Sequence, residues 1–217
     1  MLIRFFEKPA RFEFMHKWLV RPGVKILDAG CGNNSPFRTK RYYPKCLYYG
    51  LDMAPQDKVG DNNLAAMEQF FEIDLLNISS FSKIPDLFFD CIILSHVIEH
   101  LENGREVVVA LLQKLVKGGV IYIEFPSPKS VNFPRMKGSL NFYDDPGHVR
   151  VYQLEEISKV LSDSGFDIIR AGTRRSLKRI LFLPFYALVS LLYHGYIGGS
   201  VLWDLFGFAD YLIACKE

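Results

Sequence analysis

Residues 24–34 read VKILDAGCGNN, an apolar run that closes on an acid and then on Gly-x-Gly, with no bulky side chain before Asn33. Val24, Ile26 and Leu27 suit a strand packed on both faces, and such strands belong to parallel α/β sheets. Gly30 and Gly32 lack the Cβ that would hold a ligand away from the main chain. Asp28 stands at the carboxyl end of that strand, where open α/β sheets bind their ligands. A lone Gly-x-Gly is a weak signal. Its weight here comes from the acids that close the next two strands, in the order a nucleoside site needs.

Strands are predicted at Lys25–Asp28, Leu47–Leu51, Phe70–Ile73, Phe89–Leu94, Val120–Phe125, Phe166–Ala171 and Ala209–Ala214. Helical patterns cover Ala10–Val20, Glu102–Val116 and Gln153–Ser164, the last two stopped by Gly118 and Gly165. Strands joined by crossovers make right-handed βαβ units and a mostly parallel sheet. At 217 residues, with 49% hydrophobic and 23% charged side chains, the chain supports one domain over 1–217. Residues 1–23 form an N-terminal helical segment of it. The second and third strands end in Asp52, within LYYGLD, and Asp74, within FFEID. A carboxylate at the first place can accept both hydroxyls of a ribose. One at the second can accept from an exocyclic amine, with Met53 free to pack on the ring.

The series DAGCG, LDM, EIDLLN, FDCIILSHVIEHLEN and LVKGGVIYIEFPSP resembles class I S-adenosylmethionine-dependent methyltransferases of the type 11/12 kind. The resemblance spans roughly 24–170. It implies a Rossmann-like three-layer sandwich, with a seven-stranded, mostly parallel sheet whose last strand is antiparallel. It implies S-adenosylmethionine as cofactor, with Asp28, Gly30, Cys31 and Gly32 around its methionine end and Asp52 and Met53 at the ribose. Asp74 and Leu75 would hold the adenine, and Ser95 and His96 the loop beneath the sulfonium. A nicotinamide-binding domain would instead need a third glycine where Ser35 stands, and Asp28 would repel its diphosphate.

SHVIEHL also reads as His-x-x-Glu-His, a zinc-peptidase signature, but it straddles a strand-to-helix junction and leaves the glycine turn unexplained. Metal-assisted O-methyltransferases carry Glu-x-x-Glu-His at this place. By that likeness His96, Glu99, His100 and His148 are candidate ligands of a divalent ion, although no metal site is assigned. Without a metal, His148 in DDPGHVRVY is the leading general base and His96 the second catalytic candidate, with Tyr143 and Arg150 as substrate contacts.

The span 173–208 between the last two strands is a hydrophobic insertion. No acid occurs from Ile168 to Trp203, while Arg170, Arg174, Arg175, Lys178 and Arg179 precede ILFLPFYALVSLLY. That run is shorter than the roughly 20 residues a crossing needs. It either covers the domain's own core or pocket, or lies through 174–203 as a peripheral contact on a membrane. The function these readings converge on is O-methylation of a small-molecule, saccharide or lipid-linked acceptor. The alternatives are a non-catalytic cofactor-binding partner protein and a metal-assisted enzyme acting on a ribose or catechol-like diol. A net charge of +2 gives no reason to expect nucleic acid. Cys31, Cys46, Cys91 and Cys215 form no CxxC pair, and the N-terminus lacks a signal-peptide core, so a cytoplasmic protein with reduced thiols is expected.

Overall fold

The structure, a computed structural model, describes residues 8–217. Seven strands form one sheet: β1 (Lys25–Ala29), β2 (Leu47–Asp52), β3 (Gln69–Glu72), β4 (Phe89–Ser95), β5 (Leu115–Pro126), β6 (Phe166–Thr173) and β7 (Ala209–Lys216). Their order is β3-β2-β1-β4-β5-β7-β6. Strands β1 to β5 pair in parallel, and β7 lies antiparallel to both β5 and β6. Strand order reverses between β1 and β4, which opens a crevice above their carboxyl ends.

Alternation along the strands divides the core between two faces. Leu27, Leu51, Ile92, Leu94, Ile121 and Ile123 pack on one side with α3 (Gly104–Leu112) and α4 (Leu154–Asp163), through Val107, Val108, Leu111, Ile157 and Leu161. Ile26, Tyr48, Cys91, Ile93, Tyr122 and Ile213 face the other side, where α1 (Arg11–Leu19) contributes Phe12, Met15 and Leu19. The eight-residue α2 (Ser35–Tyr42) follows the glycine turn with Pro36 in its first turn. This is the expected three-layer sandwich, with β7 as the antiparallel strand.

Two boundaries move from expectation. The helix expected to run to Val116 ends at Leu112, because Phe88 and Phe89 N–H donate to Lys114 O and draw the chain out as strand. Leu115 then pairs with Phe89, so β5 starts five residues before Val120. The insertion forms α5 (Leu177–Leu181), α6 (Leu183–His194) and one turn at Trp203–Phe206. It does not cover the core: in α6 only Ser190 is buried, and none of its apolar side chains belongs to either core cluster.

Tyr152 joins the sheet's carboxyl edge to the start of α3. Its hydroxyl accepts Gly104 N–H at 3.0 Å and donates to Leu101 O at 2.6 Å, fully buried. Tyr152→Phe leaves both main-chain groups unmet and should cost about 1–3 kcal/mol. Thermal unfolding should register this as a Tm lower by roughly 2–10 °C.

Candidate active site

The turn after β1 is built for close approach. Gly30 and Gly32 both lie in the left-handed region, at φ +77° and +54°. A Cβ on Gly30 would collide with Val97, whereas one on Gly32 would enter open space. Beneath the turn, Asp28 is 2% exposed and accepts from Tyr48 Oη at 2.6 Å and from Ser35 Oγ, with Arg11 3.7 Å away. Its carboxylate therefore braces the turn from below. Asp52 braces it from above, with Oδ2 accepting Gly32 N–H at 2.9 Å and Oδ1 accepting Ala54 N–H at 3.0 Å.

Beside the turn lies a cavity of about 250 Å³ whose wall includes Gly30, Asp52, Met53, Asp74, Leu75 and His96. Ile73, Val97, His100 and Leu101 complete it. The wall offers two carboxylates, two histidines and an otherwise apolar lining, with no lysine or arginine of the kind a phosphate cradle requires. Asp74 ends the strand as an Asx turn, its Oδ1 accepting Leu76 N–H at 2.9 Å. Asp28, Cys31, Gly32 and Ser95 flank the cavity and do not line it. Cys31 is buried against Gly50, and burial, followed by the charges of Asp28 and Asp52, pushes its thiol far above the ordinary range.

His96 turns the chain at φ +56° where β4 meets the single turn Ile98–His100. No continuous helix carries His96 and His100, which removes the zinc-peptidase geometry. The ring is clamped, with Nδ1 3.1 Å from Glu99 Oε1 and Nε2 2.8 Å from Glu124 Oε1. Burial opposes its charge, but the hydrogen bonds to Glu124 and Glu99 outweigh burial and push the imidazole up to about 9. Both nitrogens therefore donate at neutral pH. This corrects the expectation for His96 as a catalytic base or metal ligand, since it keeps no lone pair for either task.

Behind it runs an alternating chain of charges. Glu124, 2% exposed, accepts from Arg174 Nη1 at 2.9 Å and from the Tyr122 hydroxyl. Burial works against the Glu124 carboxylate, yet Arg174 and His96 hold it well below the usual range. Arg174 reaches Asp204 at 3.5 Å, and Asp204 pairs with Arg179 at 3.1 Å. Trp203 lies against the His96 ring at 4.9 Å and stacks on Phe208 at 4.6 Å. Its indole N–H donates to Ser139 O, tying the insertion to the loop after β5.

That loop carries the second histidine. Asp144 Oδ2 accepts the N–H groups of Met136, Leu140 and Asn141, and Asn141 accepts from Tyr143 N–H and donates to Val131 and Phe133 carbonyls. The loop so held presents Gly147 O to His100 Nδ1 at 2.8 Å and Phe142 O to His148 Nδ1 at 2.6 Å. A carbonyl can only accept, so each Nδ1 bears a proton, and the neutral form of each ring carries its lone pair on Nε2. His148 Nε2 points at Glu99, 3.9 Å away, from a side chain 6% exposed. His100 is exposed and lines the cavity, contrary to a core-packing role. Glu99, His100 and His148 offer ligand atoms within 4.8 Å of one another, and Glu99 Oε2 is buried without a hydrogen bond.

Two expected substrate contacts separate. Tyr143 is exposed on the loop, its ring 5.7 Å from the Arg135 guanidinium. Arg150 is committed elsewhere, to Glu156 at 2.7 Å and Glu102 O at 3.0 Å, so it is not free to bind an anionic substrate. Sequence reasoning missed Glu124, although a lone acid in the apolar run VIYIEF was a readable signal. Arg174, Trp203 and Asp204 carried no local sign of their place.

A family model described as "Methyltransferase domain" matches residues 4–171. No curated protein matches the chain. Among solved structures, it resembles an S-adenosylmethionine-dependent methyltransferase from Mesorhizobium loti at 16% identity and a TM-score of 0.70, covering 96% of this chain and 99% of that one. A SAM-dependent methyltransferase from Archaeoglobus fulgidus is 19% identical with a TM-score of 0.57, covering 95% and 92%. A magnesium protoporphyrin IX methyltransferase from Synechocystis, solved with bound SAM, is 17% identical at 0.57, covering 96% and 76%.

The clamp on His96 fixes the sign of a pH effect on stability. The folded state binds this proton more tightly than the unfolded chain, so the gain is complete below about pH 6.5 and fades as pH rises through about 9. Glu124 behaves oppositely, its gain present at neutral pH and lost in acid. Chemical denaturation of wild type and His96→Gln from pH 6 to 10 should give curves that converge by about 3 kcal/mol with rising pH. Parallel curves would contradict a charged, clamped His96.

Proposed function

The chain belongs to the methyltransferase-domain family, and from that premise we propose that it is an S-adenosylmethionine-dependent enzyme methylating an acceptor oxygen. When bound, the cofactor supplies an electrophilic methyl carbon on a positively charged sulfur. The residues present fit it. Bare main chain at Gly30 and Gly32 admits close approach, and the carboxylates of Asp52 and Asp74 stand at the cavity for ribose hydroxyls and an adenine amine. Leu75, Ile73, Leu101 and Met53 supply apolar wall for the ring. No cationic cradle is needed for a ligand without phosphate.

The observation that carries oxygen as the acceptor atom is the lone pair on His100. Its Nδ1–H is held by Gly147 O, which leaves Nε2 as the proton-accepting nitrogen of the ring at an exposed position on the cavity wall. We assign the base to His100, and to His148, the sequence-based choice, the role of packing His100 in place at 4.8 Å between ring centres. A hydroxyl of a small molecule, a saccharide or a lipid-linked intermediate meets this chemistry equally. Positioning in the closed crevice supplies most of the remaining rate, of order 7–11 kcal/mol in well-oriented cases. The four cysteines are free, three of them buried, which supports placing the reaction in the cytoplasm.

A second reading has its own support: Glu99 Oε2 is buried without a hydrogen bond, and Glu99, His100 and His148 bring ligand atoms within 4.8 Å of one another. Glu99, His100 and His148 would hold a divalent ion that polarises the acceptor hydroxyl, with Gly147 and Phe142 carbonyls orienting the rings. Imidazole-rich donors favour zinc or manganese over magnesium.

Asp52→Ala should weaken S-adenosylmethionine binding by at least about tenfold in calorimetry while the circular dichroism spectrum is kept. His100→Gln should leave that affinity unchanged and slow turnover by about 10²–10⁴-fold. Unchanged turnover in His100→Gln ends its role as base. Dialysis against chelator separates the two readings: activity that persists excludes the ion, and activity lost and then restored by zinc or manganese supports it.

A further inference from the structure

We propose that helices α5 and α6 seat this protein flat on a bilayer surface rich in anionic phospholipid. Leu177, Leu181, Leu188 and Leu192 are 81%, 75%, 54% and 76% exposed. Within each helix the spacing of four puts the pair on one face, Leu177 with Leu181 on α5 and Leu188 with Leu192 on α6. In α6 no side chain is charged except by protonation of the terminal His194, and Ser190 is the one buried residue. An apolar stripe that meets water along its length marks an interaction surface.

Charge selects the occupant. From Ile168 to Trp203 the chain has no acid; of its five cations Arg170, Arg175 and Lys178 are exposed, whereas Arg174 is buried against Glu124 and Asp204 and Arg179 pairs with Asp204. Lys8, Lys178 and Arg179, with the single acid Glu13, edge a cavity of about 680 Å³ whose apolar side is Phe182, Phe185 and Tyr186, and Lys137 lies 5.3 Å from the Tyr196 ring. Cations and aromatics beside an exposed apolar stripe match the headgroup layer above acyl chains. Lys and Arg side chains within a Debye length of an anionic leaflet are drawn to it. A second copy of the chain would fit poorly, because a two-fold interface sets like charges against each other.

The helix cannot cross the bilayer. α6 has 12 residues, about 18 Å of helix against a hydrocarbon core near 30 Å. No described helix is long and apolar enough to span. The seat is nevertheless fixed to the domain. Ser176 Oγ donates to Glu13 at 2.9 Å, Gly199 N–H donates to Lys137 O at 2.7 Å, and Arg174 pairs with Glu124 at 2.9 Å. Through Trp203, packed on His96, it adjoins the crevice where an acceptor would be handled.

Flotation with vesicles tests the seat without reference to methyl transfer, so its failure leaves the catalytic reading standing and the reverse also holds. The full chain should float with phosphatidylcholine vesicles containing a third of phosphatidylglycerol. It should float at least about tenfold less with phosphatidylcholine alone or at high salt. Leu188→Asp/Leu192→Asp, both on the exposed stripe, should lower partition by about tenfold or more while circular dichroism and cofactor affinity hold. Lys178→Glu should remove part of the salt-sensitive share. No flotation with the anionic vesicles would overturn the proposal, as would a double variant that floats like wild type. So would a concentration-dependent dimer that the double variant dissolves.

Discussion

Six charged groups in a row, Glu99, His96, Glu124, Arg174, Asp204 and Arg179, alternate in sign from the crevice to the base of the insertion. Glu99, Glu124, Arg174 and Asp204 are all buried, and a buried charge is tolerable only with a partner that also satisfies its hydrogen bonds. Each member here is the counter-charge of the next, so none can move alone. The chain runs from the end of β4 through β5 and the end of β6 to the last turn before β7. It holds His96 in a left-handed conformation that a non-glycine residue seldom adopts.

That constraint separates two environments only a few ångströms apart. On the inner side His96 is an imidazolium with both N–H groups spent on glutamates. On the outer side His100 and His148 each donate from Nδ1 to a main-chain carbonyl and keep a lone pair on Nε2. Glu99 is shared, its Oε1 bonding His96 and lying 3.9 Å from His148 Nε2, while its Oε2 is buried without a hydrogen bond. Three histidines within one short stretch of space thus differ in role because of what their nitrogens touch. The loop that sets the outer pair owes its shape to Asn141 and Asp144, whose side chains between them satisfy four main-chain N–H groups and two carbonyls.

Much of this was legible. Periodicity placed all seven strands, because each alternates or runs apolar between glycine and polar breaks, and the acids at 52 and 74 fall together on the wall of one cavity. Where the reading failed, the cause was distance along the chain. Arg150 looked free in DDPGHVRVY until Glu156 and Glu102 O met it, and Asp28 looked ligand-facing until Tyr48 and Ser35 turned it inward. The helix–strand boundary near Leu115 shifted because pairing with Phe89 outweighed local helical preference.

The sequence by itself determined the sheet, the glycine turn and the acids around it, because those depend on local pattern and on side chains that a strand end must expose. The tertiary structure alone decided which histidine holds a proton and which accepts one, since tautomer and charge follow from partners 28, 47 and 6 residues away. It alone decided the fate of the apolar insertion too. Hydropathy sets how strongly such a helix avoids water, but only the anchoring of Arg174, Ser176 and Gly199 to Glu124, Glu13 and Lys137 of the domain fixes which face is left outside.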